Sequence, residues 1–142
     1  AAANFGELVR IQPRSLEARD NLAILLDQLG KPDEAESVWK ELLAVDARFA
    51  PANLHFARFL IGRDRHAEAI PLLESNLARF PNWAEGHLML GAAYLETGQD
   101  QKDAMALWNA QRMLPDSGEL HSQLSALKAR LAQIVRKKEE SI

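Results

Sequence analysis

The sequence predicts an all-α chain of stacked two-helix repeats, and three observations carry that prediction. Pairs of short amphipathic helices follow one another from Leu16 to Phe49, from Ala50 to Trp83 and from Ala84 onward. Equivalent residues recur at a fixed interval: Ala35 and Ala69 lie 34 residues apart, as do Pro81 and Pro115. Gly30 and Gly98 end the first helix of their copies. A fixed period in this range means that each copy is one supersecondary unit. Such a unit cannot bury its apolar face alone and is completed by its neighbours.

The expected organisation follows the period. Residues 1–15 read as the second helix of a truncated preceding repeat, because Phe5, Leu8 and Ile11 make an apolar face and Pro13 lies 34 residues before Ala47, where a repeat closes; a simple N-terminal capping helix is the other reading. Complete repeats are expected over 16–49, 50–83 and 84–115, a capping helix over 116–138 and a polar tail over 139–142. On this reading the chain is one module of a larger protein.

In the first repeat Ser15 is the N-cap candidate for a helix from Leu16 to Leu29, with Leu22, Leu25, Leu26 and Leu29 as its buried stripe. Gly30 suits the left-handed position beyond a helix end, and Pro32 starts the next helix where its missing N–H is harmless. That helix is expected to bury Ala35, Val38, Trp39, Leu42 and Val45. In the middle repeat Gly62 and Asp64 make the turn, with Asp64 as N-cap, and Pro71 sits inside the second helix, where a bend is expected. In the third repeat Ala104 falls 35 residues after Ala69, which reads as one extra residue before it. Asp116 and Glu119 have capping-box spacing ahead of a helix carrying Leu120, Leu124, Leu127, Leu131 and Ile134. These leucines also have coiled-coil spacing, but over barely two heptads, so a cap on the last repeat is the preferred role.

Close helix crossings need small residues. Ala23, Ala57 and Gly91 are expected at one crossing and Ala35, Ala69 and Ala104 at the other, with Trp39, Leu73 and Trp108 filling the space beside them.

Composition limits the function. The chain has 142 residues, 47% of them hydrophobic and 26% charged, and a net charge of −3. That is a globular composition without a nucleic-acid or anionic-membrane footprint. The absence of cysteine excludes disulfides, thiolate zinc sites and thiol catalysis, and suits cytoplasm and periplasm equally, so the compartment stays open. No apolar run approaches the roughly 18 residues of a membrane span. His55, His66, His87 and His121 are scattered, with no H-E-x-x-H spacing, and neither a nucleophile elbow nor a P-loop nor a dinucleotide fingerprint occurs. The reading is therefore not an enzyme, with no catalytic, metal or cofactor residues.

Leu22, Ala23, Ala35, Trp39 and Leu42, then Phe56, Ala57, Ala69 and Pro81, then Leu90, Gly91, Tyr94, Trp108 and Pro115 resemble the tetratricopeptide repeat pattern over nearly the whole chain. Ala47, where Pro is usual, and the shifted third repeat are departures. The resemblance implies a right-handed α-solenoid whose first helices line a concave groove, and a scaffold role in protein–protein interaction. By that register Glu17, Asp20, Asn21, Ile24 and Asp27 face the groove in the first repeat. Leu54, His55, Arg58 and Ile61 do so in the second, and Glu85, Leu88, Met89, Ala92 and Leu95 in the third. Of these, Asn21, Leu54, His55, Arg58, Leu88, Met89 and Leu95 are the expected peptide contacts, since apolar residues on such a face mark interaction surfaces. The other reading has Leu54, Ile61, Leu88 and Leu95 packed between neighbouring first helices or beneath the cap. A two-carboxylate clamp, known in a chaperone-binding subset of the family, does not fit, because Asp20, Ile24, His55, Glu85 and Met89 take the places of its Lys, Asn and Arg residues.

Two other readings stand beside groove binding of a peptide or helical segment. One is an oligomerisation module using the Phe5, Leu8 and Ile11 edge. The other rests on the Ala104–Trp108 run followed by Leu114 and Pro115, which resembles the last repeat of bacterial tetratricopeptide modules for c-type cytochrome assembly.

Overall fold

The first helix starts where its capping residue requires. The Ser15 side-chain oxygen accepts the Ala18 backbone N–H at 3.1 Å, satisfying one of the donors that a helix start leaves without a partner. The computed structural model describes residues 15–114 and 118–141, excepting the side chains of Asp100 and Ala104. Among the described residues the chain is all helix: α1 (Leu16–Gln28), α2 (Pro32–Val45), α3 (Ala50–Ile61), α4 (His66–Arg79), α5 (Ala84–Glu96), α6 (Asp100–Met113) and α7 (Glu119–Glu140). Pro32 opens α2, and Pro71 lies exposed within α4. Helix α7 runs on through Glu140, taking in part of the expected tail. The Phe5, Leu8 and Ile11 edge, Pro13, the closing Pro115 and Asp116 lie outside the described residues. The expected capping box is not the start of α7: its N-cap is Gly118, and Glu119 is its first residue where the box needs the third.

The 34-residue period is written into the backbone. After α1, α3 and α5, a residue at positive φ is followed by an N–H that reaches back five residues to a carbonyl of the helix just ended. Lys31 donates to Leu26 at 2.9 Å, Arg65 to Leu60 at 2.9 Å and Gln99 to Tyr94 at 2.8 Å. The left-handed residues are Gly30 (φ 77°), Asp64 (φ 59°) and Gly98 (φ 77°), each 34 residues from the next. Asp64 is therefore not the N-cap of α4; Arg65 is, and Asp64 holds the place that glycine holds in the other two turns.

The chain forms two compact units, with the boundary inside α3 between Phe59 and Leu60. In the first unit α1 packs along α2 through Leu22, Ala23, Leu26, Ala35, Trp39 and Leu42, all buried. The Trp39 ring lies 5.5 Å from that of Phe56, nearly parallel, and 5.2 Å from that of Phe59, tilted. Leu25, Leu29 and Val45 are exposed, contrary to expectation. At 100° per residue Leu25 is turned about 60° from Leu22, to the edge of the contact. Leu29 is already the C-cap of α1 and Val45 the last residue of α2.

In the second unit α5 packs against α4 and α6, and α7 packs against both α5 and α6. Leu88, Leu107, Ala110 and Leu124 form a buried cluster flanked by Leu114, Leu120, Leu127 and Leu131, so α7 serves as the cap. The expected extra residue in the third repeat is absent. Strict 34-residue steps from Ala35 and Ala69 arrive at Asp103, and from Trp39 and Leu73 at Leu107; both of these are buried. Trp108, one residue further round the helix, is 60% exposed. It is not the gap-filling residue that the shifted register made it.

Candidate functional site

A buried carboxyl group survives only where donors meet it. Asp20, 2% exposed on α1, accepts the indole N–H of Trp39 from α2 at 2.9 Å and the Nδ1–H of His55 from α3 at 2.8 Å. Its place in the groove-facing list is thereby corrected: Asp20 lies beneath the face and holds it together. The imidazole of His55, half-buried, is fixed by that bond. Leu54, half-buried beside it, and Arg58, one turn further along α3 and exposed, share its side of the helix. Asn21, next to Asp20 in sequence, is exposed on α1. Asn21, Leu54, His55 and Arg58 are thus the expected contacts that belong to the first unit.

The expected contacts of the second unit divide. Met89 is half-buried on α5, with Glu85 and Ala92. Leu88 and Leu95, however, are only 2% and 5% exposed. Leu88 belongs to the cluster closed by Leu124 of α7, and Arg130 of α7 pairs with Glu96 of α5 at 2.8 Å. Both leucines are core residues and are unavailable to a ligand.

Sequence reasoning missed a second feature of this unit. Between α6 and α7 runs an apolar cleft of about 490 Å³, with Leu107, Trp108, Leu131, Ala132 and Val135 on its walls. Lys128 donates to Gln111 across it at 2.9 Å, and the Arg112 guanidinium lies 4.7 Å from the Trp108 ring centre. The spacing of Lys128, Ala132, Val135 and Glu139, a second stripe on α7 beside the leucine seam, is the signal that announces it.

His87 donates from Nε2 to the Pro81 carbonyl at 2.8 Å, joining a helix to the loop before it. Among the described residues no three His, Asp or Glu side chains are grouped to hold a metal ion, and no helix is long and apolar enough to cross a membrane. Burial, then the charge of Glu74 and its hydrogen bond to the hydroxyl, push the Tyr94 phenol above its ordinary value.

No protein-family model matches the sequence, and no curated protein matches it. Solved structures do. MamA residues 41-end from Desulfovibrio magneticus RS-1 is 20% identical with a TM-score of 0.73, over 94% of this chain and 82% of that one. The Yersinia enterocolitica type III secretion translocator chaperone SycD, in complex with a peptide of the translocator YopD, is 20% identical with a TM-score of 0.68, over 87% and 94%. YrrB, a TPR protein with an unusual peptide-binding site, is 18% identical with a TM-score of 0.74, over 96% and 70%. At these identities the likeness is one of fold: the chain has the all-α architecture of tetratricopeptide proteins, paired helices ending in a cap.

Proposed function

We propose that the chain is a protein–protein interaction scaffold that holds an extended or helical segment of a partner on the α1–α3 face of its first unit. The observation that carries this reading is the Asp20–His55 bond at 2.8 Å, which links the first helices of two successive repeats from beneath their outer side. It presents His55 with Leu54 and Arg58 on α3 and leaves Asn21 exposed on α1. An amide for backbone hydrogen bonds, a half-buried leucine and a cation are the groups that an extended peptide requires. The scaffold is ordered before binding, which lowers the cost of association, and the expected affinity is near micromolar, about −8 kcal/mol. The peptide complex of SycD and the peptide-binding site of YrrB support this use of the fold.

The test is partner capture from a lysate of the source cells, comparing the native chain with an Asn21→Ala, Arg58→Glu variant of equal helicity by circular dichroism. A protein retained by the native chain and lost by the variant supports the face. Equal retention moves the binding elsewhere on the molecule.

A further inference from the structure

We propose that the α6–α7 cleft is a second docking site, one that takes an acidic amphipathic helix from a partner protein. Two helices side by side leave a valley shaped for a third. Here the valley floor is apolar, and it keeps an indole 60% exposed at Trp108 and a valine 42% exposed at Val135. Large apolar side chains in a concave, two-walled site are the anchors of helix-in-groove recognition.

The charge around the cleft selects the occupant. The chain as a whole carries −3, yet residues 128–140 hold Lys128, Arg130, Arg136, Lys137 and Lys138 against Glu139 and Glu140, with Arg130 already paired with Glu96. Lys128 and Arg136 stand on the cleft itself, and Arg112 lies against its tryptophan. Glu139, at the end of α7, is the acid among the lining residues. An apolar stripe flanked by Glu or Asp meets both features at once, apolar anchors on the floor and carboxylates on the cationic rim. A bilayer surface, being flat, does not enter a valley between two helices. The site lies wholly within the second unit and shares no residue with the α1–α3 face.

The experiment uses the full chain and a fluorescein-labelled helical peptide with Leu and Phe at positions i, i+3, i+4 and i+7 and Glu at the exposed positions. A counterpart carries Lys in place of Glu. Fluorescence anisotropy is expected to give saturable binding of the Glu peptide. Binding should weaken at least tenfold for the Lys peptide, for Val135→Glu and for a Lys128→Glu, Arg136→Glu variant. The Asn21→Ala, Arg58→Glu variant should bind the Glu peptide as the native chain does, so that failure of the α1–α3 reading and failure of this one are distinguishable. Circular dichroism checks that each variant keeps its helicity. Equal binding of the Glu and Lys peptides, or undiminished binding to Val135→Glu, overturns the proposal. So does sedimentation showing a dimer that Val135→Glu dissociates, since the occupant is then a second copy. Binding of phosphatidylserine vesicles in place of the peptide overturns it as well.

Discussion

Gly91 on α5 faces Asp103 on α6 across a helix crossing so close that a Cβ at position 91 would lie 3.3 Å from Asp103 Oδ1, and 2.8 Å from Cδ2 of the neighbouring Leu107. In the earlier copies the corresponding residues are alanines, Ala23 and Ala57 on the first helices and Ala35 and Ala69 on the second. Where an aspartate replaces the alanine of the second helix, the first helix gives up its methyl group. Gly91→Leu should therefore overpack the crossing and cost about 1–3 kcal/mol, read as a shift of the urea midpoint without a change in slope. An unchanged midpoint would reject this register.

The three equivalent turns make a prediction about backbone alone. Gly30 and Gly98 have open space where a side chain would stand, so Gly98→Val meets only the left-handed strain and should lose about 1–2 kcal/mol. Asp64, at φ 59°, already bears part of that strain, and Asp64→Gly should raise the melting temperature. A fall would mean that the aspartate side chain contributes more than its conformation costs.

Asp20 serves two buried or half-buried donors, and its removal leaves both without a partner. Asp20→Ala should destabilise the chain by about 1–3 kcal/mol, with loss of the near-ultraviolet dichroism of Trp39. It should also weaken any ligand of the α1–α3 face by freeing the His55 ring. His55→Ala, at a half-exposed position, should cost less stability and as much binding. The two effects are separated by chemical denaturation and by titration with the captured partner.

Tyr94 gives the stability a pH dependence at the alkaline end. Its folded value is raised, so the neutral phenol is the form the fold prefers, and its contribution is complete below the ordinary tyrosine range of about 10. The contribution is lost as pH climbs through the raised value. Urea midpoints of native and Tyr94→Phe chains should differ by a constant amount at neutral and mildly alkaline pH and converge at strongly alkaline pH. A constant difference throughout would remove the Glu74 hydrogen bond from the account.

Leu88 and Met89 are adjacent on α5 and should answer the same substitution differently. Leu88→Glu places a charge in the cluster closed by Leu124 and should unfold the second unit, while Met89→Glu, half-buried, should leave a folded chain. Helicity and thermal unfolding distinguish the two.

The helices were legible because their signals are local. Ser15 as a cap, Pro32 as a first residue and Gly30 and Gly98 as left-handed terminators all act within a turn of their own position. Asp64 was misread because aspartate serves both as an N-cap and as a left-handed residue, and only the backbone angle tells them apart. The third repeat was misread through Ala104, whose small side chain suggested a shift. The preserved Asp103 and Leu107 positions put the charged residue inside and the tryptophan outside, against the usual preference of each.

That this protein is an array of helix pairs is legible in residue spacing alone. A 34-residue recurrence of small residues, turn formers and apolar stripes marks a stack of two-helix units, each completed by its neighbours. Tertiary structure alone decided which of the apolar residues are surface. Leu88 and Leu95 have the spacing of groove contacts, and Trp108 has the look of a core residue, yet both leucines are buried, Leu88 in the cluster that Leu124 of the cap α7 closes, and Trp108 stands beside an open cleft. Helical periodicity records which residues share a face. What covers that face depends on an element further along the chain, and its place is fixed by packing.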